Sequence, residues 1–68
     1  MSDELIVRLR DERAAQGWTQ AELAERIGVS RKTINTIENG VFVPSTVLAL
    51  KLAKAFNTSV EALFALND

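Results

Sequence analysis

The chain has 68 residues, 8 Lys and Arg against 9 Asp and Glu, a net charge of −1, and neither cysteine nor histidine. Such a length suits one domain spanning residues 1–68, near the lower limit at which a single core holds without staples, and the missing residue types exclude disulfides, thiolate-zinc sites and histidine-based catalysis. No apolar run approaches the roughly 18 to 20 residues of a membrane span, and the start, M-S-D-E, is acidic where a secretory signal is basic, so a soluble, cytoplasmic protein is expected.

Residues 2–16 read as a first helix, with Ser2 as cap, Asp3 and Glu4 at the positive helix start, and Gly17 as the stop. Its inward stripe would be Ile6, Leu9, Arg10 and Arg13. Arg10 is expected to snorkel, burying its stem alone. Arg13 differs, because Glu38 falls on the buried side of a later helix; each would be costly alone in so small a core, so the two are expected to pair as a structural salt bridge. Trp18 follows at a position that suits a hydrophobic staple onto Leu23, and core packing is expected of it rather than base stacking.

Thr19 and Glu22 form a capping box opening a second helix, whose apolar positions are Leu23, Ala24 and Ile27 and whose stop is Gly28. Ser30 can cap a third helix that buries Ile34 and Ile37 and ends at Asn39-Gly40. Two helices so short and so tightly joined must cross steeply, which makes residues 19–40 a helix-turn-helix unit. With the two isoleucines inward, Lys32, Asn35, Thr36 and Asn39 face outward and Arg31 stands at the open end. Residues 26–37 carry Arg26, Arg31 and Lys32 without any acid, so the field there is locally positive although the net charge is not. A polar, acid-free helix face of this kind suits the reading of base edges in a major groove.

After Gly40, Phe42 is expected to plug the core. Pro44 and Ser45 stop one element and start the next, a fourth helix reaching about Phe56 with Ala49, Leu52, Ala53 and Phe56 inward and Lys51 and Lys54 in water. Asn57 is a left-handed stop; Thr58 or Ser59 can cap a last short helix with Val60, Leu63 and Phe64 facing in. Five helices without a strand pattern give an all-α, compact five-helix bundle. Val41, Val43, Val47, Leu50 and Leu66 find no place in these stripes, and a contiguous patch of them, with Val43, Leu50 and Leu66 as its candidates, would mark a self-association surface.

The order L-R-x-x-R-x-x-x-G-W-T-Q-A-E-L-A-E-R-I-G-V-S-R-K-T-I-N-T-I-E-N-G, followed by P-S, A-L-K-L-A-K-A-F and S-V-E-A-L-F, resembles the phage repressor and Cro helix-turn-helix family of bacterial regulators, in particular its small stand-alone five-helix members with a lambda repressor-like fold. The resemblance implies sequence-specific binding of double-stranded DNA by a homodimer, usually in repression, and two such units on a two-fold axis would read an approximately palindromic operator. It also implies roles by position. Gln20, with Thr19 before it, matches the phosphate-holding start of the second helix; Arg31, Lys32 and Thr36 match the base readers, and Asn35 a flanking base contact. Thr33 and Asn39 match flanking base or phosphate contacts, and Arg13 with Glu38 a structural ion pair. Val41 departs from the pattern, since a basic residue is common there. No cofactor, metal, small-molecule ligand or membrane is implied. The alternative is a protein-interaction module of the same fold, such as an antitoxin or adaptor with weak DNA binding. An enzyme finds no support, for want of a histidine, a cysteine, a glycine-rich phosphate loop or a facing carboxylate pair.

Overall fold

Hydroxyl side chains set where most of the helices begin. Thr19, Ser30, Ser45 and Ser59 each accept a hydrogen bond from the backbone N–H three residues on, which satisfies a donor that the helix itself leaves orphaned. The computed structural model describes residues 4–67. In chain order they form β1 (Leu5–Val7), α1 (Leu9–Gln16), α2 (Gln20–Ile27), α3 (Arg31–Glu38), α4 (Thr46–Ala55), α5 (Val60–Leu63) and β2 (Phe64–Leu66). The mostly helical architecture expected from the apolar spacing is present, with α2 and α3 as the helix-turn-helix pair.

The start of the chain differs from expectation. Instead of the first turns of a helix, Leu5, Ile6 and Val7 form a strand paired antiparallel with β2, in the register Leu5 to Leu66, Ile6 to Ala65 and Val7 to Phe64. Ile and Val, branched at Cβ, suit a pleated surface better than a helix, and a partner strand from the other end of the chain supplies the ladder. Flanking hydrogen bonds extend it: Arg8 N–H donates to the Leu63 carbonyl at 2.8 Å and Asn67 N–H to that of Glu4 at 2.9 Å. Side chains alternate across the strand, so Leu5 and Val7 are half-buried while Ile6 faces out and leaves the expected inward stripe. Helix α1 therefore starts at Leu9, with Arg8 at its cap position and no side-chain cap; the expected cap Ser2 and its neighbour Asp3 lie outside the described residues.

Leu9, Leu23, Ile34, Ile37, Leu52 and Leu63 are fully buried and close the core, with Phe56 and Phe64 at its margin. Phe42 was expected among them and is 45% exposed. Its backbone explains why: Val41 and Phe42 both donate N–H bonds to the Thr36 carbonyl, at 2.9 and 3.2 Å, which folds the segment back over the end of α3 with the ring outward, beside a core already filled. Trp18 packs against that core, its ring centroid 5.1 Å from that of Phe56, and the Arg26 guanidinium lies over its ring, 4.1 Å from the centroid.

The turn between α2 and α3 needs a left-handed residue. Gly28 has φ +76°, and its N–H donates to the Ala24 carbonyl. A Cβ there would meet no heavy atom within 4 Å, so only backbone strain opposes a side chain. Gly28→Ala should therefore cost about 1–2 kcal/mol in urea denaturation; a variant as stable as the wild type would show that the left-handed turn is not what joins the two helices.

Candidate nucleic-acid interface

Helix α3 is held to the interior by three side chains. Ile34 and Ile37 are fully buried, and Glu38, one turn beyond Ile34, is the buried acid of the core. Arg13 from α1 grips it with two bonds, Nε to Oε2 at 2.6 Å and Nη2 to Oε1 at 3.2 Å, while Arg13 Nη1 donates to the Trp18 carbonyl at 2.8 Å. The expected partners thus meet, and the Glu38 side chain is wholly inaccessible while that of Arg13 is 16% exposed. Gln20 Nε2 donates to Glu38 Oε1 at 3.0 Å, and Arg10 Nε approaches the same oxygen at 3.5 Å. Burial by itself would push the Glu38 carboxyl up. The hydrogen bonds from Arg13 and Gln20, the Arg13 charge and the Arg10 contact outweigh it and hold the group below the usual carboxylate range. On the other side, the hydrogen bond to Glu38 keeps Arg13 more firmly protonated than usual.

Arg10 was expected merely to snorkel. Its side chain is 57% exposed, yet Nη2 also donates to Asn39 Oδ1 at 2.9 Å, so it ties α1 to the end of α3. The signal was in the spacing: Arg10 and Arg13 sit one turn apart on α1, so both can reach a single acid.

The outward face of α3 carries the residues expected to meet DNA. Arg31, Lys32 and Asn35 are exposed and line one shallow cleft of about 290 Å³. Among the described residues, neither Arg31 nor Lys32 is in an ion pair, so both charges are available. Thr36 is half-buried and its hydroxyl donates to the Thr33 carbonyl at 2.9 Å, which leaves its oxygen as an acceptor. Thr33 pairs its hydroxyl with that of the cap, Ser30, at 2.9 Å. Asn39 uses both ends of its amide inside the chain, accepting from Arg10 and donating to the Asn35 carbonyl and to Asn35 Oδ1 at 2.9 and 3.2 Å. At the start of α2, the Thr19 hydroxyl accepts from Glu22 N–H at 3.0 Å, and the Glu22 carboxylate accepts from Thr19 N–H at 2.9 Å, completing the capping box. Gln20 has its NH2 shared between Glu38 and Asn35.

The apolar surplus is also at the surface. Val41, Val43, Val47, Leu50 and Leu66 are all more than half exposed. Val43 and Leu50 line a groove of about 240 Å³ with Leu5, Pro44, Ala49 and Phe64, and Leu66 is the strand partner of Leu5. Among the described residues no group of acidic side chains is placed to hold a metal ion, and no helix is long and apolar enough to cross a membrane.

This arrangement has relatives. The helix-turn-helix family profile matches residues 9–63. An HTH-type transcriptional regulator of Archaeoglobus fulgidus is 48% identical over 61 residues, 90% of this chain and 87% of that protein. The competence pilus inhibition repressor of Acinetobacter baylyi is 44% identical over 56 residues, 82% of this chain and 51% of the repressor. Among solved structures, the restriction-modification controller protein C.AhdI of Aeromonas hydrophila superposes with a TM-score of 0.75 at 37% identity, covering 79% of this chain and 78% of that one.

Breaking the buried ion pair leaves Arg13 without its acid, so Glu38→Ala should lower stability by about 3–5 kcal/mol. The depressed carboxyl also fixes the direction of a pH effect. Its contribution is complete above the ordinary glutamate range, near pH 4.3, and is lost as pH falls through the lower folded value. Urea midpoints measured from pH 7 downward should fall more steeply for the wild type than for Glu38→Gln; equal midpoints for Glu38→Ala and wild type at pH 7 would contradict the pairing.

Proposed function

We propose a mechanism for this chain from one premise: it belongs to the Cro/C1-type helix-turn-helix family of DNA-binding transcriptional regulators, which are not enzymes. The observation that carries the finer proposal is the exposed, acid-free face of α3, where Arg31 and Lys32 have no ion partner among the described residues and line one cleft with Asn35. Set in a major groove, Arg31 and Lys32 would meet guanine edges, with Thr36 and Asn35 beside them. Phosphates would be met at the positive end of α2 through the backbone N–H of Gln20, since its side-chain NH2 already has two partners, and by Thr19 and Thr33 alongside. Asn39, expected as a further phosphate contact, bonds Arg10 and Asn35 through its amide, and the part proposed for it is to hold Asn35.

A single α3 covers few base pairs, and two copies on a two-fold axis would read half-sites about 10 bp apart in a palindromic operator. The exposed apolar groove of Val43 and Leu50, next to Leu66, is the surface proposed to bring the copies together. The repressor named among the relatives supports repression as the outcome, acting in the cytoplasm on a bacterial or phage operator. The same apolar surface favours a second reading, a protein-interaction module, and salt separates the two. Binding to duplex DNA that weakens steeply with added salt requires phosphate contacts, whereas no binding, or binding indifferent to salt, would favour the module.

Two variants test the division of labour. Arg31→Ala should lose discrimination at one base pair of each half-site, by about 1–3 kcal/mol, in binding assays on singly substituted operators; an equal loss on every sequence would reassign Arg31 to the backbone. Leu50→Glu should sediment as a monomer at concentrations where the wild type is a dimer, and should bind a full operator more weakly. An unchanged sedimentation profile would remove this groove from the interface.

A further inference from the structure

The hydrogen bonds around Glu38 have a fixed polarity that reaches the DNA-facing surface. An amide is nearly symmetric in shape, so which end points where is decided by its partners. Here both ends of a chain of three amides are set by ions. At one end the Glu38 carboxylate can only accept, so the group that Gln20 directs at it, at 3.0 Å, must be its NH2. At the other end the Arg10 guanidinium can only donate, so the atom that Asn39 offers it, at 2.9 Å, must be its oxygen. Asn39 therefore turns its NH2 toward Asn35. The side chain of Asn35 stands between the two NH2 groups, 3.2 Å from Gln20 Nε2 and 3.2 Å from Asn39 Nδ2, and it can face them only with its oxygen. Turned the other way, its own NH2 would oppose two donors at once.

From this geometry, and resting on the DNA-binding role proposed above, we infer that Asn35 is a guanine-specifying residue that presents a donor alone to the groove. Both lone pairs of Oδ1 are taken inside the chain, while Nδ2 is bonded to nothing among the described residues and belongs to an exposed side chain beside Arg31 and Lys32. An asparagine free to turn can hold adenine with both ends of its amide, accepting from N6 and donating to N7. Asn35 lacks the accepting half of that pair. Its two outward hydrogens match instead the edge of guanine, where O6 and N7 both accept. Cytosine offers this face only a donor. Arg10, Gln20 and Asn39 act as positioning residues: they fix the orientation of the reader.

The test is site selection from a random duplex pool with wild type, Asn35→Ala and Asn35→Asp, followed by binding to single-pair variants of the selected site. Asn35→Asp keeps an oxygen toward Gln20 and Asn39 and replaces the outward donor by a second acceptor. Thermal melts identify folded variants, and Asn35→Ala, at an exposed position, serves if the aspartate does not fold. The wild type should select a G·C pair at one step of each half-site by about tenfold or more. Both variants should lose that preference while keeping those at other steps, and 7-deazaguanine at that step should weaken the wild type and leave Asn35→Ala unaffected. An A·T pair selected by the wild type and lost in Asn35→Ala would overturn the inference, because Asn35 would then specify adenine or thymine, through a two-ended amide or through a donor on N7 or O4, and not guanine. Preferences unchanged in Asn35→Ala would overturn it as well, since Asn35 would then read no base. Absence of salt-dependent duplex binding by the wild type would instead remove the DNA-binding role itself.

Discussion

One buried carboxylate organises this small domain. Glu38 sits at the end of α3 with its side chain wholly covered, and a lone charge in that position would be untenable in a core of a few aliphatic side chains. Its two-pronged bond to Arg13 fixes the angle between α1 and α3, and its bond to Gln20 fixes the start of α2 against the same helix. The helix-turn-helix geometry thus rests on an ionic clamp as well as on Ile34 and Ile37. A purely apolar seam would let a short helix rotate by a fraction of a turn at small cost. A bidentate guanidinium contact does not, because its geometry is directional. For a helix that must present one face and hide the other, that restriction matters more than the net stabilisation.

The clamp also joins the interior to the surface. Arg10, Gln20, Asn35 and Asn39 continue the hydrogen bonding outward from Glu38 until it reaches the residues beside Arg31 and Lys32. Orientation at the surface is therefore set partly by a charge in the core. The near-neutral composition is consistent with such a surface, since the acids are placed elsewhere: Asp11 and Glu12 lie in the first turn of α1, where they suit its positive end, and Glu22 is engaged in its capping box.

Much of this was legible in the residue order. Capping residues at Thr19, Ser30 and Ser45, the glycine stop at Gly28 and the three-residue apolar spacing in α3 are local signals, and the helices they delimit form where they point. The Arg13–Glu38 pair was legible because burying either alone is so costly. What was not legible depends on distant partners. Leu5 to Val7 are a strand only because Phe64 to Leu66, at the opposite end of the chain, lie beside them, and an apolar run of three residues carries no period that separates the two states. Phe42 is exposed because the Thr36 carbonyl captures the backbone beside it, and hydrophobicity alone could not announce that. Arg10 was expected only to bury its stem along the inward stripe, whereas its contact with Asn39 depends on the packing of α1 against α3. The same limit applies to Asn35: its place on the outward face follows from the helical period, but the saturation of its oxygen follows from three elements meeting.

Whether the outward face of α3 is the surface that meets DNA is tested most directly by following the backbone amide resonances of the protein as a duplex carrying its selected site is added. The largest shifts should fall on Arg31, Lys32, Asn35 and Thr36 and on Gln20 at the start of α2. Shifts confined to Val43, Leu50 and Leu66, with those of α3 left in place, would contradict the proposed docking.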